Sequence, residues 1–160
     1  MFTPPSHSIL SQTEHWRVHH NLHSRVEGYL MIGALDPEGY DFDQLSSESL
    51  SEMGLVIKNC VSALKRVYKP KHVFVSRYGV VPGNLVHFHV IPVYDWMDQR
   101  IEDDPRYSFV AELTEETDGL KYDAADYLYY IWRELTERAD QSGLVPVDVG
   151  TVVKELSLSL

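Results

Sequence analysis

Two histidines stand one residue apart in Leu85-Val86-His87-Phe88-His89-Val90-Ile91-Pro92, and all their neighbours in that stretch are apolar. A strand sends successive side chains to opposite faces, so Leu85, His87, His89, Ile91 and Val93 share one face while Val86, Phe88 and Val90 share the other. The first is a candidate active face and the second a candidate core face. Imidazoles about 7 Å apart on a rigid strand can divide nucleophilic and phosphate-binding work, or they can ligate a metal ion. The metal alternative, a His-ligated zinc protein, would recruit His20 and His23, although the sequence holds no HExxH motif and its single Cys60 excludes a Cys-x-x-Cys pair.

Such a strand needs a sheet to hold it, and the flanking sequence supplies partners. Residues 1–14 lack periodicity and are expected to form a loose arm. Trp16 to Asn21 is rich in strand formers, and Gly28 to Leu35 predicts a second, more buried strand. Asp36-Pro37-Glu38-Gly39 is a turn, after which Ser46 or Ser47 can cap a helix. Leu50, Met53, Ile57, Cys60, Val61, Leu64, Val67 and Tyr68 then recur at helical spacing up to Pro70, which predicts a main helix over about 47–68. His72 to Ser76 predicts another strand, and 79–83 a hairpin leading into the histidine strand. The chain beyond Trp96 is acidic and irregular, with Asp103 in a solvated loop. Ala124, Leu128, Ile131, Leu135 and Ala139 then predict a C-terminal helix over about 122–139. The order implies an α+β fold with an antiparallel sheet of about five strands. It forms one domain over 15–139, and a C-terminal extension, 140–160, packs on that domain.

Composition narrows the function classes. A net charge of −10, from Asp+Glu 24 against Lys+Arg 14, opposes binding to a nucleic-acid polymer, which depends on cationic side chains displacing counterions. A small phosphorylated ligand is still allowed, because a local pocket decides its binding. No apolar run is long enough to span a membrane, and Cys60 has no internal disulfide partner, so a cytoplasmic location is expected. His19, His20 and His23 read as strand and turn residues, and Tyr127, Tyr129, Tyr130 and Trp132 as packing or oligomer contacts.

The histidine strand and the order of elements around it resemble the histidine triad (HIT) family of nucleotide hydrolases and transferases, whose pattern alternates three histidines with hydrophobic residues. Aligned on Ile91-Pro92, His89 matches the third histidine and His87 the central one, while Leu85 stands in place of the first. Leu45-Ser46-Ser47-Glu48 fits the family's helix start, and the resemblance spans 16–93. It implies that His87 attacks the α-phosphorus of a nucleotide and carries the nucleotidyl group until water removes it. The substrate would be a dinucleoside polyphosphate or a nucleoside phosphoramidate. The backbone carbonyl of Leu85 would hold the other nitrogen of His87. His89 would hydrogen-bond the phosphoryl oxygens or the leaving atom, most effectively when protonated. Asn21, seven residues before Gly28, falls where the family holds the ribose, with Leu30 or Ile32 flanking the base. The hairpin is shorter than the family's, with Asn84 the nearest candidate for its polar residue, and Arg77 would supply positive charge to phosphate. No cofactor and no metal are implied, and a homodimer is the expected assembly. Val93 replaces the customary Arg, and Ala34-Leu35-Asp36 replaces a Lys-x-His, so a catalytically weak nucleotide-binding module is the alternative.

Overall fold

A computed structural model describes residues 3–78, 84–107 and 122–160; the hairpin expected over 79–83 lies outside them. Five antiparallel strands form one sheet: β1 (Ile9–Gln12), β2 (Trp16–His20), β3 (Leu30–Ala34), β4 (His72–Ser76) and β5 (His87–Val93), in the order β1-β2-β3-β5-β4. The histidine strand is therefore internal, paired on both edges. The predicted α+β class and antiparallel sheet hold. The arm expected to be loose supplies an outer strand, because Ile9 to Gln12 pairs with β2 through backbone hydrogen bonds that need no apolar periodicity.

Alternation on the strands builds two cores, one on each face of the sheet. On one face Trp16, Val18, Leu30, Ile32, Phe88 and Val90 pack under α1 (Ser47–Val67), which contributes Val56, Cys60, Ala63 and Leu64. The Ser46 hydroxyl caps α1 by accepting from Ser49 N at 3.0 Å, and Trp16 Nε1 donates to the Ser49 carbonyl at 2.9 Å, pinning the helix to β2. Beyond Tyr68 the chain turns through Lys69 at φ 47° and reaches Pro70, which cannot continue a helix. Within 140–160 a further helix, Val149–Ser157, sends Val152 and Leu156 into this same core.

Among the described residues, the other face is covered over only part of its area. Ile91 and Val93 pack there with Met97 and Ile101 of α2 (Trp96–Asp103) and with Tyr127 and Ile131 of α3 (Ala124–Trp132). In chain order the C-terminal helix Val149–Ser157 is α4. The acidic stretch after Trp96 is thus helical, and Met97 with Ile101, four residues apart, is the stripe that marks it. The helix predicted over 122–139 is instead a nine-residue α-helix followed by a π turn, Arg133–Glu137, in which Arg138 N bonds the Arg133 carbonyl at 3.1 Å. Among the described residues no helix is long and apolar enough to cross a membrane.

Candidate active site

Strand register assembles the site. Arg17 on β2 lies opposite Gly33 on β3, and Gly33 lies opposite His87 on β5; two residues away His19 faces Met31, Met31 faces His89, and His89 faces Ser76. These rows occupy the part of the sheet that α2 and α3 leave uncovered. Gly33 carries no side chain, and a Cβ built there meets nothing within 4 Å, so the floor between Arg17 and His87 is open. A cavity of about 280 Å³ stands over it, lined by Arg17, His19, Asn21, Met31, Asn84 and His87 among others. The chain carries a charge of −10, yet no carboxylate is among the described lining residues and Arg17 is their one fixed charge. That local field favours an anion.

The ring nitrogens of His87 are differentiated by its own strand. Nδ1 lies 2.9 Å from the Leu85 carbonyl, and because a carbonyl can only accept, Nδ1 carries the proton and the neutral ring presents a bare Nε2 lone pair. His89 lies alongside, ring centroids 5.3 Å apart. Its Nδ1 is 2.8 Å from the Tyr29 hydroxyl, and the Tyr78 ring meets it edge-on at 4.6 Å. Burial first, and then the neighbouring His87 and His19, hold the His89 pKa down at about 4. Burial thus favours the neutral His89 imidazole over the protonated form that the resemblance implies. His19 turns its Nδ1 to the His20 carbonyl at 3.0 Å, and burial lowers its pKa also.

Asn21 lines the cavity, and its Oδ1 accepts from His23 N at 2.9 Å, so it closes a turn as well. Asn84 lines the cavity too. Arg77 is not among the lining residues; it pairs with Asp41 at 2.9 Å and lies over the Phe42 ring at 4.9 Å, and Arg17 is the guanidinium on this face. Leu30 and Ile32 cannot flank a base. Both are fully buried beneath α1, and strand alternation gives the cavity to Met31 and Gly33 instead. Leu85 packs partly into the first core. His20 is completely buried on the opposite face from His87 and His89, so alternation removes it from any shared ligand set; among the described residues no three His, Cys, Asp or Glu side chains are grouped to hold a metal ion.

Sequence reasoning missed Tyr29, Tyr78, Arg17 and the siting of His19. Arg17 and His19 carried a signal, since they alternate with Trp16 and Val18, but only the pairing of β2 with β3 places them beside the histidine strand.

The backbone compares with solved structures. A HIT-like protein involved in cell-cycle regulation from Bartonella henselae superposes with a TM-score of 0.55 at 11% identity, over 96% of this chain and 86% of that one. A histidine triad protein from Sinorhizobium meliloti gives 0.53 at 11% identity, over 95% and 88%. The chain has the histidine triad fold. The diadenosine triphosphate hydrolase of Plasmodium falciparum shares this fold with a TM-score of 0.51 at 13% identity, over 72% of this chain and 84% of that one. No protein-family model and no curated protein matches the sequence. On the histidine triad fold seen here, the internal strand β5 carries His87 at the edge of the cavity, with the His89 ring beside it.

Proposed function

We propose that the chain is a hydrolase or nucleotidyl transferase acting on the α-phosphate of a nucleotide through a covalent nucleotidyl-His87 intermediate. The observation that carries this reading is the 2.9 Å bond from His87 Nδ1 to the Leu85 carbonyl, which aims an unprotonated Nε2 from a ring lining the cavity. His89 beside it would bind the phosphoryl oxygens, Arg17 would balance phosphate charge, and Asn21 Oδ1 keeps a lone pair for a ribose hydroxyl. The fold shared with a diadenosine triphosphate hydrolase supports a dinucleoside polyphosphate as substrate, with a nucleoside phosphoramidate as the other class.

Incubation with adenosine and guanosine members of both classes, followed by mass spectrometry of the intact protein, tests the reading. A nucleotidyl adduct that disappears in His87→Ala, together with turnover, is the expected result. Turnover that survives His87→Ala refutes the mechanism. A nucleotide-binding module without turnover is the second reading, favoured by the buried apolar Leu85 in the place of a triad histidine; ligand binding with neither adduct nor product selects it. A cytoplasmic homodimer extends the proposal, since β4 ends the sheet with Val75 exposed and Leu50 and Leu55 are exposed on α1. Light scattering measures that stoichiometry.

A further inference from the structure

Resting on the nucleotidyl-transfer reading above, we propose that Tyr29 is a positioning residue that fixes His89 as an imidazole protonated on Nε2 alone, and that the site consequently cleaves phosphoric anhydrides in preference to phosphoramidates.

The direction of each hydrogen bond follows from one unambiguous donor. The backbone N–H of His23 donates to Asn21 Oδ1 at 2.9 Å, which settles the orientation of the carboxamide. The amide nitrogen of Asn21 is then the atom turned toward Met31 Sδ, 3.9 Å away. The hydroxyl proton of buried Tyr29 therefore finds its acceptor in His89 Nδ1, 2.8 Å away, because the amide nitrogen of Asn21 can only donate. Tyr29 is fully buried, and burial raises its pKa, so the phenol keeps the proton that it donates. A nitrogen that accepts a hydrogen bond is bare, which leaves the proton of neutral His89 on Nε2. Gly28 fixes where Tyr29 enters. At φ 72° it takes the left-handed turn that closes the loop, and Asn21 N bonds the Tyr29 carbonyl at 2.8 Å.

Nothing around His89 favours a second proton. The titratable groups that face it among the described residues are His87 on its own strand, His19 from β2, Tyr29 ahead of β3 and Tyr78 beyond β4; none is a carboxylate. Burial with two other imidazoles nearby holds its pKa down, at about 4, so at pH 7 the ring is neutral.

Leaving-group chemistry then separates the two substrate classes. As the His87 Nε2 lone pair forms the N–P bond, the scissile bond breaks and its electron pair departs with the leaving group. From an anhydride that group is a phosphate, which leaves as a stable anion with no proton transfer. From a phosphoramidate it is an amine nitrogen, which must gain a proton as the P–N bond breaks. His89 can hydrogen-bond the phosphoryl oxygens through Nε2–H but holds no spare proton, and the Nδ1 proton of His87 is committed to the Leu85 carbonyl. A positioned general acid is worth about 10²–10⁴ in rate, so its absence penalises the amidate by that factor.

Two measurements on the full chain test this. Imidazole 15N spectra of the histidine-labelled protein are expected to show His89 with a protonated Nε2 and a bare Nδ1 from pH 5.5 to 8. Tyr29→Phe, which keeps the ring, should give mixed tautomers and a raised His89 pKa. A wild-type spectrum with the proton on Nδ1, or a doubly protonated ring at pH 6.5, overturns the proposal without recourse to any variant. In the second measurement, kcat/KM at pH 7 for a dinucleoside polyphosphate should exceed that for the matching nucleoside phosphoramidate by about 100-fold or more, and Tyr29→Phe should narrow the ratio. Equal rates overturn the selectivity even where the tautomer is as expected. Cleavage of neither substrate overturns the nucleotidyl-transfer reading and the selectivity with it, while the spectra still decide the role of Tyr29.

Discussion

His20 offers a quantitative test of how burial acts on an imidazole in this sheet. Its ring is completely buried, and neither nitrogen makes a hydrogen bond with a described residue. Burial lowers its pKa to about 4; the backbones of Asn21 and Val26 offset part of that effect, and His19 adds to it. An unfolded histidine titrates near 6.5, so between these values the unfolded chain binds a proton that the folded chain refuses. The folded-state pKa is depressed. The stability associated with His20 is therefore fully present above about pH 7 and is lost as the pH falls from 6.5 toward 4. Proton linkage with these two pKa values gives a loss of about 2 kcal/mol at pH 5 and about 3 kcal/mol at pH 4. Replacing the ring with an apolar side chain of similar volume, His20→Leu, removes this term and also relieves two unpaired buried nitrogens, at about 1–3 kcal/mol. The variant should be more stable than wild type at pH 7.5, and its advantage should widen by about 2 kcal/mol at pH 5. Urea unfolding at a series of pH values measures both quantities. A difference between variant and wild type that does not change with pH would refute the assignment of a depressed pKa to His20. A destabilised variant at pH 7.5 would show that the ring nitrogens are satisfied.

Other perturbations separate binding from folding. Gly33→Leu puts a side chain into the open floor between Arg17 and His87, where a Cβ has no neighbour; nucleotide affinity measured by calorimetry should fall by about tenfold or more, with the urea midpoint nearly unchanged. Gly28→Ala acts on folding instead, because the residue sits at φ 72° and a Cβ would come 2.6 Å from Leu64 Cδ2; a loss of about 1–3 kcal/mol is expected in denaturant melts. His89 shares the depressed pKa of about 4, so its substitution by Gln should also lessen the loss of stability below pH 6, and thermal melts at pH 5 and 7.5 check that sign.

Much of the fold was legible because one strong local pattern fixed it. Alternation around His87 and His89 assigned Phe88 and Val90 to the core, helical spacing from Leu50 to Tyr68 assigned α1, and Pro70 stopped it. The same local rule put both histidines on one face, and the carbonyl two residues before His87 belongs to the backbone, so replacing the first histidine by Leu85 could not remove it. What failed was whatever depends on pairing between distant segments. Ile9–Gln12 becomes a strand only through β2, and Leu30 and Ile32 were sited at the cavity because which parity of β3 faces the histidines is set by its register with β5. Arg17 reaches the site across the gap left by Gly33, and Arg77 is drawn away by Asp41 and Phe42, contacts between residues far apart in the chain. The protonation of His89 was beyond the sequence for a related reason. Composition gives an imidazole its ordinary pKa, but burial, two neighbouring rings and a phenol delivered by the Gly28 turn exist only once the sheet has formed. Sequence by itself determined the chemical groups and the face they share; the tertiary structure decided their partners, their charge and the cavity they serve, because those depend on distances that the chain acquires only on folding.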